Sequence, residues 1–418
     1  MDPGGEEGAV ETNGLTRPRL RPLELKWLDE GGRSVLFVRD PSGVAPHSVT
    51  VPGFVALLLS FCDGEHDVPE IQAAFELRTG QRLPIEQVRS ILDQLDEALF
   101  LDSPRFRAAR DQLLVDYRSS AYRTPALADR VYPGEPTALL RELANYEREL
   151  PSDLTEPSPS LRGVVSPHID YQRGGPIYAA TWRRAAAAVR DADLILVFGT
   201  DHSGGLGQVT LTRQSYATPL GVLPTAVDVI DALADAIGPE SAFAEEIHHR
   251  NEHSIELAMV WLHSLRSNAP PPVVPILCGS FYSFTEGHAD PSTDYKFARM
   301  IETLRQVTAN RRVLAVAAAD LAHVGPAFGD REPYGESDRV RLATKDEALL
   351  GAVCSGDAEE FFGQLRAERD ARRICGLPPI YLMLRYLGEA KGEVVGYDQC
   401  PADSNGGSLV SIGGVLLE

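Results

Sequence analysis

Three short stretches of the chain share a pattern that can do chemistry. One apolar run ends in Ser166-Pro167-His168-Ile169-Asp170, a second in Thr200-Asp201-His202-Ser203-Gly204, and a third in Asp320-Leu321-Ala322-His323. Each finishes in a histidine with an aspartate within three residues. Neutral imidazole is the commonest metal ligand, and a carboxylate beside it can orient the ring or take up a proton. The chain has only 10 histidines, so three in like positions point to one metal pocket. An acid–base site without metal uses the same residue types and stays open.

Two other stretches carry candidates. "NEHSIELAMVWLHSL" places Glu252, His253 and Glu256 where a helix begins, with Asn251 as its expected cap. Acids in a first helical turn also serve the helix dipole, so Glu252 and Glu256 have a purely electrostatic reading beside the functional one. Cys375 precedes Gly376 and a proline-started helix, "LPPIYLMLRYL". A cysteine there is either buried and inert, or a stabilised thiolate suited to a nucleophile or a metal ligand.

These residues need a scaffold. "RGVVSP", "DLILVFG", "PVVPILC" and "RRVLAVAAA" are short, continuous apolar runs. Between them lie segments with helical spacing, such as "GGPIYAATWRRAAAAVRD". Such strands, separated by helices, imply an α/β domain with a largely parallel or mixed sheet covered on both faces. Ligands of open α/β sheets bind at the carboxyl ends of the strands. Parallel, neighbouring strands would therefore turn the three histidines toward one rim.

The chain before residue 122 reads differently. Leu23–Gly43 is a hairpin around Glu30-Gly31-Gly32, and "VPGFVALLLSFCDGEHDVPEIQAAFELRTG" is helix, turn, helix. A third helix buries Ile85, Val88, Ile91, Leu92 and Leu95 on one face. The expected organisation is a disordered lead (1–19), a small winged-helix-like α+β domain (20–105), a linker (106–121) and the α/β domain (122–418). Ser152–Gly163, rich in Ser and Pro, reads as a loop.

Composition narrows the setting. The formal net charge is -20, which argues against nucleic acid. Phe61–Ser103 holds ten acidic residues against three arginines, so the winged-helix-like domain suits a peptide or protein partner and not DNA. A purely structural cap is the other reading of that domain. No apolar run is long enough for a membrane span. The acidic N-terminus reads as neither a secretory signal nor a transit peptide. Five scattered cysteines without a CxxC pair fit a reducing cytoplasm.

"RTPALADRVYPGEPTALLREL", "SPHIDY", "GTDHSG", "NEHSIEL", "PVVPILCGS", "AAADLAHVG" and "ICGLPPI" stand in an order that resembles the Memo family, also named AmmeMemoRadiSam system protein B. The resemblance runs from Tyr122 to the C-terminus. It implies a fold like that of the class III extradiol dioxygenases, which use non-haem Fe(II). It implies metal-ligand positions at His168, His202 and Cys375. Asp320 and His323 then line the same pocket, and His253 and Glu256 belong to the family's EHSIE motif as catalytic candidates.

One metal ion follows from the resemblance, with Fe(II) favoured and Cu or Zn as alternatives. The implied function is a redox or dioxygenase-like metalloenzyme acting on a small organic or peptide-borne substrate. The alternative is a non-catalytic metal- and peptide-binding adaptor working with a radical SAM enzyme. A radical SAM enzyme and an AMMECR1-type protein are the implied partners. Metal-free hydrolysis, with Cys375 as nucleophile, also fits the residue types. Departures from the family are Asp170 in place of a frequent glycine, Thr200-Asp201 in place of Pro-Ser or Pro-Asn, and Asp129-Arg130 in place of a glycine-containing step. The N-terminal domain resembles a PqqD-like module, a fold used to bind leader peptides.

Overall fold

The computed structural model describes residues 16–151, 160–266 and 268–418. Most of the expected lead and residues 152–159 of the Ser/Pro-rich loop lie outside the described residues. Two compact units part between Tyr117 and Arg118.

The first unit opens with a hairpin, β1 (Glu24–Glu30) and β2 (Arg33–Arg39). Gly31 and Gly32 turn it at φ 63 and 81, a region that glycine enters without strain. β3 (Val49–Pro52) pairs antiparallel with β2 and completes a three-stranded sheet. Against it pack α1 (Gly53–Leu59), α2 (Val68–Thr79) and α3 (Ile85–Glu97). Asp67 and Glu70 form a reciprocal capping box at the start of α2, and Gly80 at φ 69 ends that helix. Leu36, Val38, Leu58, Ile71, Phe75, Val88 and Leu92 make the core.

Two boundaries differ from expectation. Order begins before residue 20, because Arg19 already bridges to Asp63. The stretch 106–121 lies mostly in a helix, α4 (Pro104–Ser119), started by the Ser103 hydroxyl, which accepts from Phe106 N at 3.2 Å. Of its residues Tyr117 alone is buried, so its sequence lacks the buried apolar face that marks a packed helix.

The second unit holds, in chain order, α5 (Pro136–Arg148), β4 (Gly163–Ser166), α6 (Tyr171–Asp191), β5 (Leu194–Thr200), β6 (Val209–Leu211), β7 (Tyr216–Thr218), β8 (Gly221–Leu223), α7 (Val227–Ile237), α8 (Pro239–Ala242), α9 (Ser254–Leu265), β9 (Val273–Cys278), α10 (Tyr282–Thr285), α11 (Tyr295–Thr308), β10 (Val313–Ala318), β11 (His323–Val324), α12 (Glu336–Ser355), α13 (Ala358–Ala367), α14 (Leu377–Leu387), β12 (Gly392–Pro401) and β13 (Leu409–Leu417). The main sheet runs β11-β13-β4-β10-β5-β9-β6, with β12 beside β13. β4, β10, β5 and β9 are mutually parallel. These are the four apolar runs read from the sequence.

The strands are apolar throughout because both faces are covered. Leu194, Leu196 and Phe198 of β5 enter one core, with α7, α11 and α14. Ile195 and Val197 enter the other, with Trp182 of α6 and Trp261 of α9. Each fully buried side chain of this size contributes roughly 1.5–3 kcal/mol. The antiparallel hairpin β12–β13 has no counterpart in the sequence reading. β13 crosses close to α6 at Gly414, where a Cβ would stand 2.1 Å from Thr181 Oγ1.

Candidate metal centre

The register of the parallel strands sets the site. Ala318, the last residue of β10, pairs with Ser166 of β4 on one side and Gly199 of β5 on the other. His168 and His202 follow those strands by two residues, and Asp320 follows β10 by two. The rim therefore presents His168, Asp320 and His202 side by side. Asp320 ties two of the strand ends together, since its Oδ1 accepts from His168 N at 2.8 Å and Ile169 N at 3.2 Å.

Cys375 arrives from the other side of the sheet. The loop before it has three non-glycine residues at positive φ, Arg369 (51), Asp370 (48) and Arg373 (55). Strained backbone of this kind persists where the surroundings fix it, and it gathers at functional sites. Gly376 lets the loop approach the strand end, because a Cβ there would stand 2.4 Å from Asp320 O. Gly376 N donates to that carbonyl at 3.0 Å, and Thr200 Oγ1 donates to Cys375 O at 2.8 Å. Cys375 Sγ comes to 3.2 Å from His168 Nε2.

A third imidazole joins the cluster. His253 is the residue before α9, and its ring stacks on His202 at 4.7 Å between centroids. The His168 ring stands edge-on to both, at 5.2 and 5.4 Å. Nitrogens of His168, His202 and His253 all lie within 4.8 Å of one another. The opposite nitrogens are committed. His168 Nδ1 meets Ala318 O at 2.9 Å, while His202 Nδ1 and His253 Nδ1 each stand 3.1 Å from Glu252 Oε1. A donor bond at Nδ1 fixes the tautomer and leaves Nε2 as the ligating atom.

Glu252 is thus both cap and orienter. Asn251 does not cap α9. The Glu252 carboxylate accepts from Ser254 N at 3.0 Å, and it also takes His202 N and His253 N. Burial opposes its charge, but His202 and His253 outweigh burial and hold the carboxyl well below its usual range. Burial likewise opposes a charged His168, yet Asp320 and Cys375 push it up to about 9. His202 is raised in the same way, chiefly by Glu252. Burial would raise the Cys375 thiol, but His168 and His323 bring it well below the ordinary range. This pattern of thiolate and imidazoles is what a cation would take over.

The donor set fits a metal ion. Ligand bonds of about 2.0–2.3 Å put two donors of one ion about 3.5 Å apart. The 3.2 Å from Cys375 Sγ to His168 Nε2 is close to that separation, and the three imidazoles offer nitrogens within 4.8 Å of one another. A cavity of about 430 Å³ opens over the histidines, lined also by Asp320, His323, Leu127, Val131, Leu257 and Phe328. His323 sits on its wall, edge-on to Phe328 at 5.0 Å, with its backbone held by Arg372 O and Arg373 Nη1.

Glu256 is not brought to this cavity, which corrects its place among the catalytic candidates. It is buried and saturated with donors, bonding Arg123, Tyr132 Oη, Ala126 N at 2.8 Å and Leu127 N at 2.9 Å. Arg123 in turn donates to His249 O and Glu252 O. The pair straps residues 123–132 onto α9 and so sets the Leu127 and Val131 wall. In that strap Asp129, standing at the glycine-containing step, adopts φ 60 and accepts from Gly134 N at 2.7 Å.

Among the described residues one other group of three side chains could approach a cation, Asp201, Glu245 and His248. Its atoms are engaged by the fold. Asp201 takes His248 Nδ1 at 2.9 Å and Ser203 N at 3.1 Å, and Glu245 takes Gly205 N at 3.1 Å.

Fold and site together define an α/β protein with a histidine–cysteine cluster at the carboxyl ends of the parallel strands of a mixed sheet. The chain belongs to the Memo-like protein family, whose model matches residues 123–416. A MEMO1 family protein of Aquifex aeolicus is 26% identical over 398 residues, 93% of this chain and 97% of its own length. That match extends over the N-terminal unit. MEMO1 family proteins of Methanosarcina barkeri (27% identical, 71% of this chain, 100% of theirs) and Archaeoglobus fulgidus (25%, 71% and 99%) match the larger part alone.

Proposed function

We propose that the protein is a metalloenzyme with redox or dioxygenase-like chemistry, binding one metal ion through His168, His202 and Cys375. Fe(II) is the favoured ion, with Cu or Zn as alternatives. The observation that carries this is the convergence of three imidazoles and a thiolate-favouring cysteine beside a cavity large enough for a small organic or peptide-borne substrate. A site of three protein ligands leaves positions for substrate, and the bound ion would supply Lewis-acid or redox chemistry there.

The chain's own residues do the rest. Glu252 holds His202, and it places His253 beside the ion as a fourth donor or a proton carrier. Asp320 fixes His168 through its backbone. His323, on the cavity wall, is placed to move a proton to or from a bound molecule. Leu127, Val131, Leu257 and Phe328 exclude water from one side of the cavity.

The second reading is a non-catalytic metal- and peptide-binding adaptor acting with a radical SAM enzyme and an AMMECR1-type protein. It is kept because the acidic N-terminal unit suits a peptide or protein partner. A reducing cytoplasm is the proposed setting. Among the described residues no helix is long and apolar enough to cross a membrane. Oxygen consumption by anaerobically purified, Fe(II)-reconstituted protein, screened against small organic and peptide substrates, separates the two. Turnover that His323→Ala abolishes while metal is retained supports the enzyme. Full metal loading without turnover under any oxidant and substrate supports the adaptor.

A further inference from the structure

Arg173 stands on the wall of the same cavity, together with Asp170. It lies in the first turn of α6, where Asp170 is the N-cap and accepts from Arg173 N at 3.1 Å. The guanidinium is pinned on two sides. Nε and Nη2 meet Asp170 Oδ2 at 2.8 and 2.6 Å, and Nη1 donates to Pro401 O at 3.0 Å. A guanidinium has five N–H groups. Three are engaged here, which leaves two uncommitted among the described residues. The side chain keeps 37% exposure.

An ion pair that served only the helix start would need neither the bond to Pro401 nor a place on the cavity wall. A flexible arginine loses much of its binding gain in ordering its side chain, whereas one already fixed does not. Beside the histidines and Asp320, the cavity has apolar lining from Leu127, Val131, Ile169, Leu257 and Phe328. At about 430 Å³ it is toward the small end of small-molecule sites. A planar fork with spare donors matches the paired oxygens of a carboxylate.

We propose that Arg173, held in place by Asp170, recognises a carboxylate, and that the cavity takes small organic acids with an apolar body. This names the substrate class of the metalloenzyme reading above and rests on it for the cavity's being a substrate site.

The test compares 3-phenylpropanoate with 3-phenylpropanamide by calorimetric titration of the full chain. It is run on EDTA-treated protein, so that the carboxylate has no ion to bind, and again after Co(II) loading. The parent should bind the acid about tenfold or more tightly than the amide, as a charge-assisted bidentate pair does. Arg173→Ala and Arg173→Lys should both lose that preference and keep amide binding, with unchanged circular dichroism. Equal binding of acid and amide, binding of neither, or a preference that survives Arg173→Ala would overturn the proposal. The metal reading is judged apart, by Co(II) uptake, which Arg173→Ala should leave as in the parent.

Discussion

The Glu252 carboxylate holds His202 from two directions. Its oxygens stand 3.1 Å from the ring Nδ1, and one of them accepts the His202 backbone N–H at 3.0 Å. The ring is therefore fixed both in rotation and in tautomer, with Nε2 turned toward His168 and Cys375. Glu252 does not line the cavity, so its influence there passes through the imidazole.

Glu252→Gln should accordingly weaken Co(II) binding by about 10- to 100-fold, the usual effect of losing an orienting carboxylate. The amide still offers one acceptor to the helix start, so circular dichroism should be unchanged. Competition titration against a chromophoric chelator measures this, and parent-like affinity would show that the carboxylate does not tune the site.

Cys375 should alkylate as a thiolate in the metal-free protein. Burial alone would protonate it, but His168 and His323 bring the thiol well below its ordinary range. Its iodoacetamide rate, followed by peptide mapping, should stay nearly flat from pH 9 to 7. An ordinary thiol slows by about tenfold or more over that span. In His168→Ala the ordinary pH dependence should return. A parent Cys375 that titrates like a free thiol counts against the assignment.

Glu256→Gln tests the strap. Removing one charge of a buried, hydrogen-bonded pair costs about 3–5 kcal/mol. Chemical denaturation should show a loss of that size. Amide exchange at Ala126 and Leu127 should rise, since both N–H groups end on this carboxylate. A loss below about 1 kcal/mol, as for exposed pairs, would mean the strap is held elsewhere.

Much of this was legible before any coordinates, and the limits have physical causes. The four parallel strands read as apolar because both their faces are buried, and the metal-ligand candidates sat where those strands end. β12 and β13 were not read, because their pairing depends on a long-range partner and on glycines that a strand pattern does not favour. His253 and Glu252 are both candidates in the sequence, but one residue's offset along the chain does not tell which lines the cavity and which stands behind it. Glu256 shares the EHSIE motif with His253, yet it lies deeper along the helix, buried against Arg123 and Tyr132. Nothing local to either residue announces a contact across more than a hundred positions.

Stability should fall in mild acid, and His263 isolates one cause. Burial lowers its pKa from 6.5 to about 4, and the ring is paired neutral with Thr218 Oγ1 at 2.7 Å. The unfolded chain takes up this proton near pH 6.5 and the native chain only near 4. The unfolded state thus binds more protons between them. Stability that is fully present above about pH 6.5 is lost as pH falls toward 4, by up to about 3 kcal/mol. His263→Gln removes the titration, so its stability deficit relative to the parent should narrow between pH 7.5 and 5. A constant deficit would contradict the assignment.

The metal content of anaerobically purified protein tests the central claim most directly. Elemental analysis of the parent should find one transition-metal ion per chain. His168→Ala should lose most of it with circular dichroism unchanged, because the residue lies past the end of β4 and takes no part in strand pairing. A His168→Ala protein that carries as much metal as the parent would contradict the account.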